Sequence, residues 1–388
     1  GGWAGAARFL HRCAGGRADE DEAMRAIFHS GHGRLEDKSN TFTAMRIGFA
    51  LVVVYAHAVL IPMGLPYHGV WPEFVDATVQ LALDGFFILS GYMITASLLN
   101  RPNMTSFTLS RVLRIFPGLI AAVLLMWLVI GPLFTELPLG AYFSQAQTLQ
   151  FPLMVLSQAD PMAGLPQVFN ASPIGGTMNG ALWTIRYELL AYLGVGLLAA
   201  VGLYRNRSLI LVWAGLAAAF GVLYQITGYS GPGDDTIGSM ARFGPAFMIG
   251  AGFYAARDQL PLSAGYVGLA LLAAFASQGT AMGPVMLQIA LAWLYLWAGF
   301  LDVPGRIGKA LREVEDVSYG IYILHWPLGM MAFALMPGLG ANALFAIMTV
   351  SAIAAGWVMR VTVEKPALAM KPRVLAFLRG PARLAAAE

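Results

Sequence analysis

Arg46 and His57 lie eleven residues apart in a run that is otherwise almost wholly apolar. At about 100° per residue, eleven steps fall about 20° from three full turns, so on a helix both side chains share one face, about 16 Å apart along the axis. A histidine held at depth in its neutral form is the usual residue for taking a proton from a hydroxyl. The blander reading is a structural histidine bonded to a neighbouring helix, and the spacing alone leaves both open.

Four more ionisable side chains interrupt apolar segments: Asp84, Arg186, Glu188 and His325. Charge in hydrocarbon is costly, so each is a candidate functional residue. Asp84 opens Asp-Gly-Phe-Phe-Ile-Leu-Ser-Gly-Tyr92, which also carries Ser90 between small residues. Gly85 and Gly91 would let a second helix or a ligand approach closely. A carboxylate at that depth needs a partner, whereas Ser90 and the glycines read equally well as packing. Arg186 and Glu188 point apart on a helix, so each is expected to pair with another helix. Pro327, two residues after His325, should kink its helix and free backbone groups beside the imidazole. Arg111 and Arg114 are spaced i,i+3 and share a face. Two guanidiniums so placed can grip a phosphate or pyrophosphate; a positively charged anchor at the lipid headgroups is the alternative.

The elements that must position these groups are membrane helices. Of 388 residues, 58% are hydrophobic and 12% charged, against about 45–50% and about 25% in soluble domains. Mean hydropathy is +0.65. A spanning helix needs about 20 mainly apolar residues, and ten such segments are expected: 43–62, 77–99, 113–134, 181–203, 208–227, 240–256, 262–278, 283–301, 316–336 and 341–363. The seventh is the weakest. Residues 135–180 read as a long polar loop, in which 147–157 is apolar but too short to span, a re-entrant or interfacial piece. The loops 63–76, 135–180, 228–239, 279–282 and 337–340 contain no Lys or Arg, whereas the alternate loops and both ends are basic. Basic loops favour the cytoplasm, so both termini are expected there. The fold class is thus all-α, a polytopic membrane protein of about ten helices.

One cysteine excludes an intrachain disulfide, and six scattered histidines with one cysteine supply no zinc cluster. No metal is expected. The net charge of +3 gives no reason to invoke nucleic acid. Residues 1–41 lack the apolar stretch of a cleavable signal and are expected to be a disordered cytoplasmic tail. Residues 42–366 form the membrane domain, and 367–388 a basic cytoplasmic tail.

The chain resembles membrane acyltransferase family 3, the bacterial O-acyltransferases of surface polysaccharides. The resemblance rests on Arg46 and His57, on Asp84 to Tyr92, on Arg111-Val-Leu-Arg-Ile-Phe-Pro117, on Trp183-Thr-Ile-Arg-Tyr-Glu188, on Val317-Ser-Tyr-Gly-Ile-Tyr-Ile-Leu-His325 and on Glu364-Lys-Pro366. Each piece is weak by itself; six in order across 43–366 are specific. The resemblance implies a multi-pass enzyme of the bacterial inner membrane. It would move an acyl group, acetyl in the first instance, from cytoplasmic acyl-CoA to a hydroxyl of an extracytoplasmic glycan or lipid-linked saccharide. His57 would be catalytic with Arg46 its partner, and Arg111 and Arg114 would hold the donor; beyond the resemblance, Ser90 is a candidate for the donor site, and Asp84 and Glu188 are candidates for the catalytic set. The rival readings are a transporter or flippase of a lipid-linked sugar, which would consume no acyl-CoA, and a non-catalytic membrane partner of a polysaccharide assembly complex.

Overall fold

The computed structural model describes residues 29–30, 40–66, 68–231 and 233–379. Most of the expected 1–41 tail, and 380–388 of the basic tail, lie outside these residues. The elements, in chain order, begin with the two-residue strand β1 (His29–Ser30), which pairs antiparallel with β2 (Leu262–Ser263). The rest is helical: α1 (Phe42–Met63), α2 (Val70–Asn100), α3 (Met104–Leu125), α4 (Leu139–Ser144), α5 (Ala146–Leu156), α6 (Trp183–Ala200), α7 (Arg207–Thr227), α8 (Asp234–Ala255), α9 (Ala264–Ala276), α10 (Gly283–Phe300), α11 (Gly305–Glu313), α12 (Ser318–Leu335), α13 (Ala341–Met359) and α14 (Lys371–Arg379). An apolar environment requires every backbone polar group to be satisfied within the segment, which a helix does and a single strand cannot.

Each of the ten expected spans falls on a helix. Six are long and apolar enough to cross a bilayer: α1, α2, Met104–Phe134, α7, α10 and Ala341–Leu378. The other four fall short for visible reasons. Helix α6 carries Arg186 and Glu188, α8 carries Asp235 and Arg242, α9 has only 13 residues, and α12 is diluted by His325 and its aromatic hydroxyls. The apolar piece inside the long loop is α5, of 11 residues, about 16 Å long and too short to span.

The contacts divide the chain into two compact units. The first holds the described residues up to Met45, Ile88–Tyr92 and Leu211–Val314. Here the α2 segment meets α8 backbone to backbone: a Cβ on Gly91 would stand 1.8 Å from the Phe247 carbonyl oxygen, and one on Gly250 would stand 2.0 Å from that of Ile88. Any side chain would force the helices apart, so Gly91 serves packing, as small residues do in membrane interfaces.

The second unit holds Arg46–Phe87, Met93–Ile210 and Glu315 onward, and contains the candidate site. Helices α12 and α13 pack closely, a Cβ on Gly320 lying 2.6 Å from Gly356 Cα. The Tyr319 hydroxyl donates to the Ile115 carbonyl at 2.8 Å and ties α12 to α3. Past Leu125, α3 continues through a π-helical turn, Met126–Ile130, into Gly131–Phe134. The turn places Trp127 five residues before Pro132, which has no N–H to give. The Tyr142 hydroxyl of α4 donates to the Trp127 carbonyl instead, at 2.9 Å. It reaches that carbonyl because Gly131 has no Cβ, which would lie 2.1 Å from the hydroxyl. A second π turn, Arg360–Glu364, follows α13; such turns recur at functional sites.

Candidate active site

His57 on α1 and His325 on α12 meet ring to ring. Their Nδ1 and Nε2 atoms are 2.7 Å apart. The centroids are 5.0 Å apart and the planes differ by 7°. That centroid distance is fully accounted for by the N···N contact plus one ring radius on each side. The rings therefore meet edge to edge in nearly one plane, the geometry of an in-line hydrogen bond. His325 is completely buried at 0% exposure, whereas His57 is half-buried. Trp326 sets its ring edge-on to His57, at 4.7 Å and 79°.

The local sequence explains why α12 holds these groups so firmly. Pro327 has no N–H for the Ile323 carbonyl four residues earlier. Asn179 Nδ2 fills that place, donating to Ile323 O at 2.8 Å, while Asn179 Oδ1 accepts from Ala181 N at 3.1 Å. The expected freed backbone beside His325 exists and is taken up from the long loop. Helix α12 remains continuous through Pro327. Trp326 Nε1 donates to the Thr177 carbonyl at 3.2 Å. Gly180 makes room for the indole, since a Cβ there would lie 2.5 Å from it. Tyr322 and Thr184 share a hydroxyl hydrogen bond of 2.6 Å, linking α12 to α6.

Toward the Arg46 end of α1, charged side chains alternate in one chain. Asp316 Oδ2 accepts from Arg114 at 2.7 Å and from Arg46 at 3.3 Å. Glu364 Oε2 accepts from Arg114 at 3.1 Å and from Arg360 at 3.3 Å. Glu315 accepts from Arg360 and from Lys365, each at 2.8 Å. Four cations face three carboxylates, so the cluster keeps one net positive charge. Three of its atoms or close neighbours are buried without a hydrogen-bond partner among the described residues: Arg46 Nε, Arg111 Nε and Glu364 Oε1. Asp316 precedes α12, and its Oδ1 accepts from Ser318 Oγ at 2.6 Å and Ser318 N at 3.3 Å. Burial opposes its ionisation, but Arg46, Arg114 and the Ser318 hydrogen bonds outweigh that and hold its carboxyl well below the usual range. Glu315 is likewise held low by its hydrogen bonds from Lys365 and Arg360.

The structure thus brings Arg46 and Arg114 onto one carboxylate. Arg111 stands one turn away with its guanidinium 5.7 Å from the Tyr192 ring centroid, and the Tyr192 hydroxyl donates to Glu188. Glu188 therefore pairs within its own helix. The i,i+4 spacing brings Tyr192 within reach, and Glu188 also lies within electrostatic reach of Arg114 on α3, another helix as expected. Arg186 does meet the end of another helix, through backbone carbonyls and not through an ion pair. It donates to the Gln158 and Ala159 carbonyls at 2.9 and 3.1 Å, capping the turn after α5, where the helix leaves carbonyls unpaired. Asp84 is buried at 5% exposure and engaged, as a carboxylate at that depth must be. Ser90 lies in the first unit, within the close α2–α8 crossing, and is half-buried.

Sequence reasoning missed Asp316, Asn179 and Thr184 as parts of the site. Asp316 carried a signal, since an acid two residues before an apolar helix is a familiar way to begin one. Asn179 carried none, and Thr184, though inside the Trp183–Glu188 piece, carried nothing that pointed to its partner; the partners lie 144 and 138 residues away.

A family model described as an acyltransferase domain matches residues 40–361. An O-acetyl transferase of Shigella phage Sf6 is 25% identical over 302 residues, covering 75% of this chain and 85% of its own length. Nodulation protein 10 of Rhizobium leguminosarum bv. viciae is 26% identical over 367 residues, covering 87% of this chain and 95% of its own. No solved structure matches. With the match spanning most of its length, the chain belongs to acyltransferase family 3 and is a membrane-bound O-acyltransferase.

Proposed function

We propose that this enzyme takes an acyl group, acetyl in the first instance, from acyl-CoA and places it on a hydroxyl of a glycan or lipid-linked saccharide, with His57 as general base. The observation that carries this is the half-buried His57 imidazole, held in plane by His325 and edge-on by Trp326. It sits three helical turns from a cluster with net positive charge. His57 takes the proton of the acceptor hydroxyl. The oxygen attacks the thioester carbonyl carbon, the carbon–sulfur bond breaks, and the thiolate leaves with the proton that His57 returns.

The donor's phosphates fit the arginine end. Arg114 already faces two carboxylates, so it contributes through the cluster's net charge. Arg111, whose Nε has no hydrogen-bond partner among the described residues and whose guanidinium lies on Tyr192, can turn to a phosphate. The Tyr192 ring positions Arg111, and Glu188 accepts from the hydroxyl on the far side of that ring. The basic loops support a reading in which this end and both termini face the cytoplasm across a bacterial inner membrane. The loop 135–180, free of Lys and Arg, then lies on the acceptor's side.

The test uses the full chain in membranes supplied with labelled acetyl-CoA and a glycan acceptor. His57→Ala should lower turnover at least about hundredfold and leave donor binding intact. Arg111→Ala should weaken donor binding about tenfold and spare turnover at saturation. Label retained on the protein without acceptor, and lost in His57→Ala, would replace direct transfer by an acyl-enzyme. Acetyl-CoA left unconsumed, with the saccharide moved across the membrane, would overturn the reading.

A further inference from the structure

We infer that His325 is a positioning residue that fixes the tautomer of His57, so that the free lone pair, and with it the base, is His57 Nε2. This rests on the general-base reading of His57 proposed above.

The assignment begins at the buried end. His325 Nδ1 lies 3.0 Å from the Ile321 carbonyl oxygen. A carbonyl oxygen only accepts, so the nitrogen facing it carries the hydrogen. With the ring neutral, His325 Nε2 is then bare. It faces His57 Nδ1 at 2.7 Å in nearly one plane, so the hydrogen between them belongs to His57 Nδ1. The neutral His57 ring has only one N–H, and its Nε2 is left with a lone pair. That atom has no hydrogen-bond partner among the described residues and is not among the buried unpaired atoms, so an acceptor hydroxyl can reach it. The chain of donors runs one way: His57 Nδ1–H to His325 Nε2, and His325 Nδ1–H to Ile321 O.

The relay orients and does not shuttle. When the acceptor's proton arrives at His57 Nε2, Nδ1–H stays donated to His325, and the proton on Nε2 is the one returned to the departing sulfur. His325 thus has the place that a carboxylate has behind the histidine of a hydrolytic triad, with one difference. It is a neutral acceptor, and its own direction is locked by the backbone of its own helix.

The test separates the two edges of the His325 ring. In His325→Gln the side-chain amide oxygen can occupy the position of Nε2 and accept from His57. In His325→Asn the shorter amide reaches only the position of Nδ1. The Asn variant is one methylene smaller at a fully buried position, so a purely structural role predicts damage greater in it by less than about tenfold, with no change of tautomer. The inference predicts that His325→Asn loses at least about hundredfold in kcat, as misplaced tautomers do, while His325→Gln stays within about tenfold of the parent and donor KM moves less than about twofold in both. An independent readout is the ¹⁵N spectrum of the His57 ring in lipid, with ring-labelled histidine and His57→Gln used for assignment. The parent should show the hydrogen on Nδ1, and His325→Asn should lose that preference. Activity losses in the two variants within about tenfold of each other, or a parent spectrum with the hydrogen on Nε2, overturn the inference. If His57→Ala retains turnover, the general-base reading falls separately, and the spectrum alone then decides the tautomer.

Discussion

Replacing Asp316 by Asn removes one charge and little else. The Asn carbonyl oxygen can still accept from Ser318, so the start of α12 survives, but Oδ2 no longer offsets Arg114 at 2.7 Å and Arg46 at 3.3 Å. Breaking one fully buried pair by removing a partner costs about 3–5 kcal/mol, whereas an exposed pair is worth about 0–1 kcal/mol. The side chains here are 16–21% exposed, and two cations are left facing each other. The expected loss is therefore about 2–4 kcal/mol. Asp302→Asn is the control: that carboxylate is 52% exposed beside Arg312, and the change should cost less than about 1 kcal/mol. Equilibrium unfolding in mixed micelles titrated with a denaturing detergent measures both. A double variant, Asp316→Asn with Arg46→Gln, should cost less than the sum of the two singles by about 1 kcal/mol, since the second change removes the cation that the first left unpaired. If Asp316→Asn is no more harmful than Asp302→Asn, the network does not hold α1, α3 and α12 together and the reasoning fails.

Three further outcomes follow from the same geometry. Gly180→Ala puts a Cβ 2.5 Å from the Trp326 indole; it should cost about 1–3 kcal/mol and, by shifting Trp326 against His57, lower turnover about tenfold, read by unfolding and acyl-transfer assays on the same preparation. Because the folded Asp316 carboxyl is held below its ordinary value, its contribution is fully present above pH of about 4 and is lost only as acid titrates the folded state. Melting of the parent should therefore show no loss from this group between neutral pH and about pH 5, and Asp316→Asn should have a shallower decline below that; an equally steep decline would refute the assignment. Tyr192→Phe keeps the ring beside Arg111 and drops the hydroxyl to Glu188, whereas Tyr192→Ala drops both. Donor KM should change less than about twofold in the first and rise about fivefold in the second, and a reversed order would show that Glu188, not the aromatic face, sets Arg111.

Much of the architecture was written in one dimension. Unbroken apolar runs of membrane length specify helices because hydrocarbon offers the backbone no other partner, and the expected segments fall on helices for that reason. The eleven-residue spacing of Arg46 and His57 placed both on one face of α1 because helical phase is a local property. The departures have local causes too. Charges, shortness or polar side chains kept four helices below the length and apolarity of a span. What sequence could not decide is which distant groups meet. His57 and His325 are 268 residues apart, and Arg46 and Asp316 270; either histidine, read alone, is as well explained by packing. Only the packing of α1 against α12 turns two ordinary histidines into a directed pair. Only the approach of Asp316 and Glu364 turns an arginine pair with two open guanidiniums into one already engaged and one still available. Hydropathy and phase act along the chain, while hydrogen-bond direction and charge compensation depend on atoms that the chain brings together from its two ends.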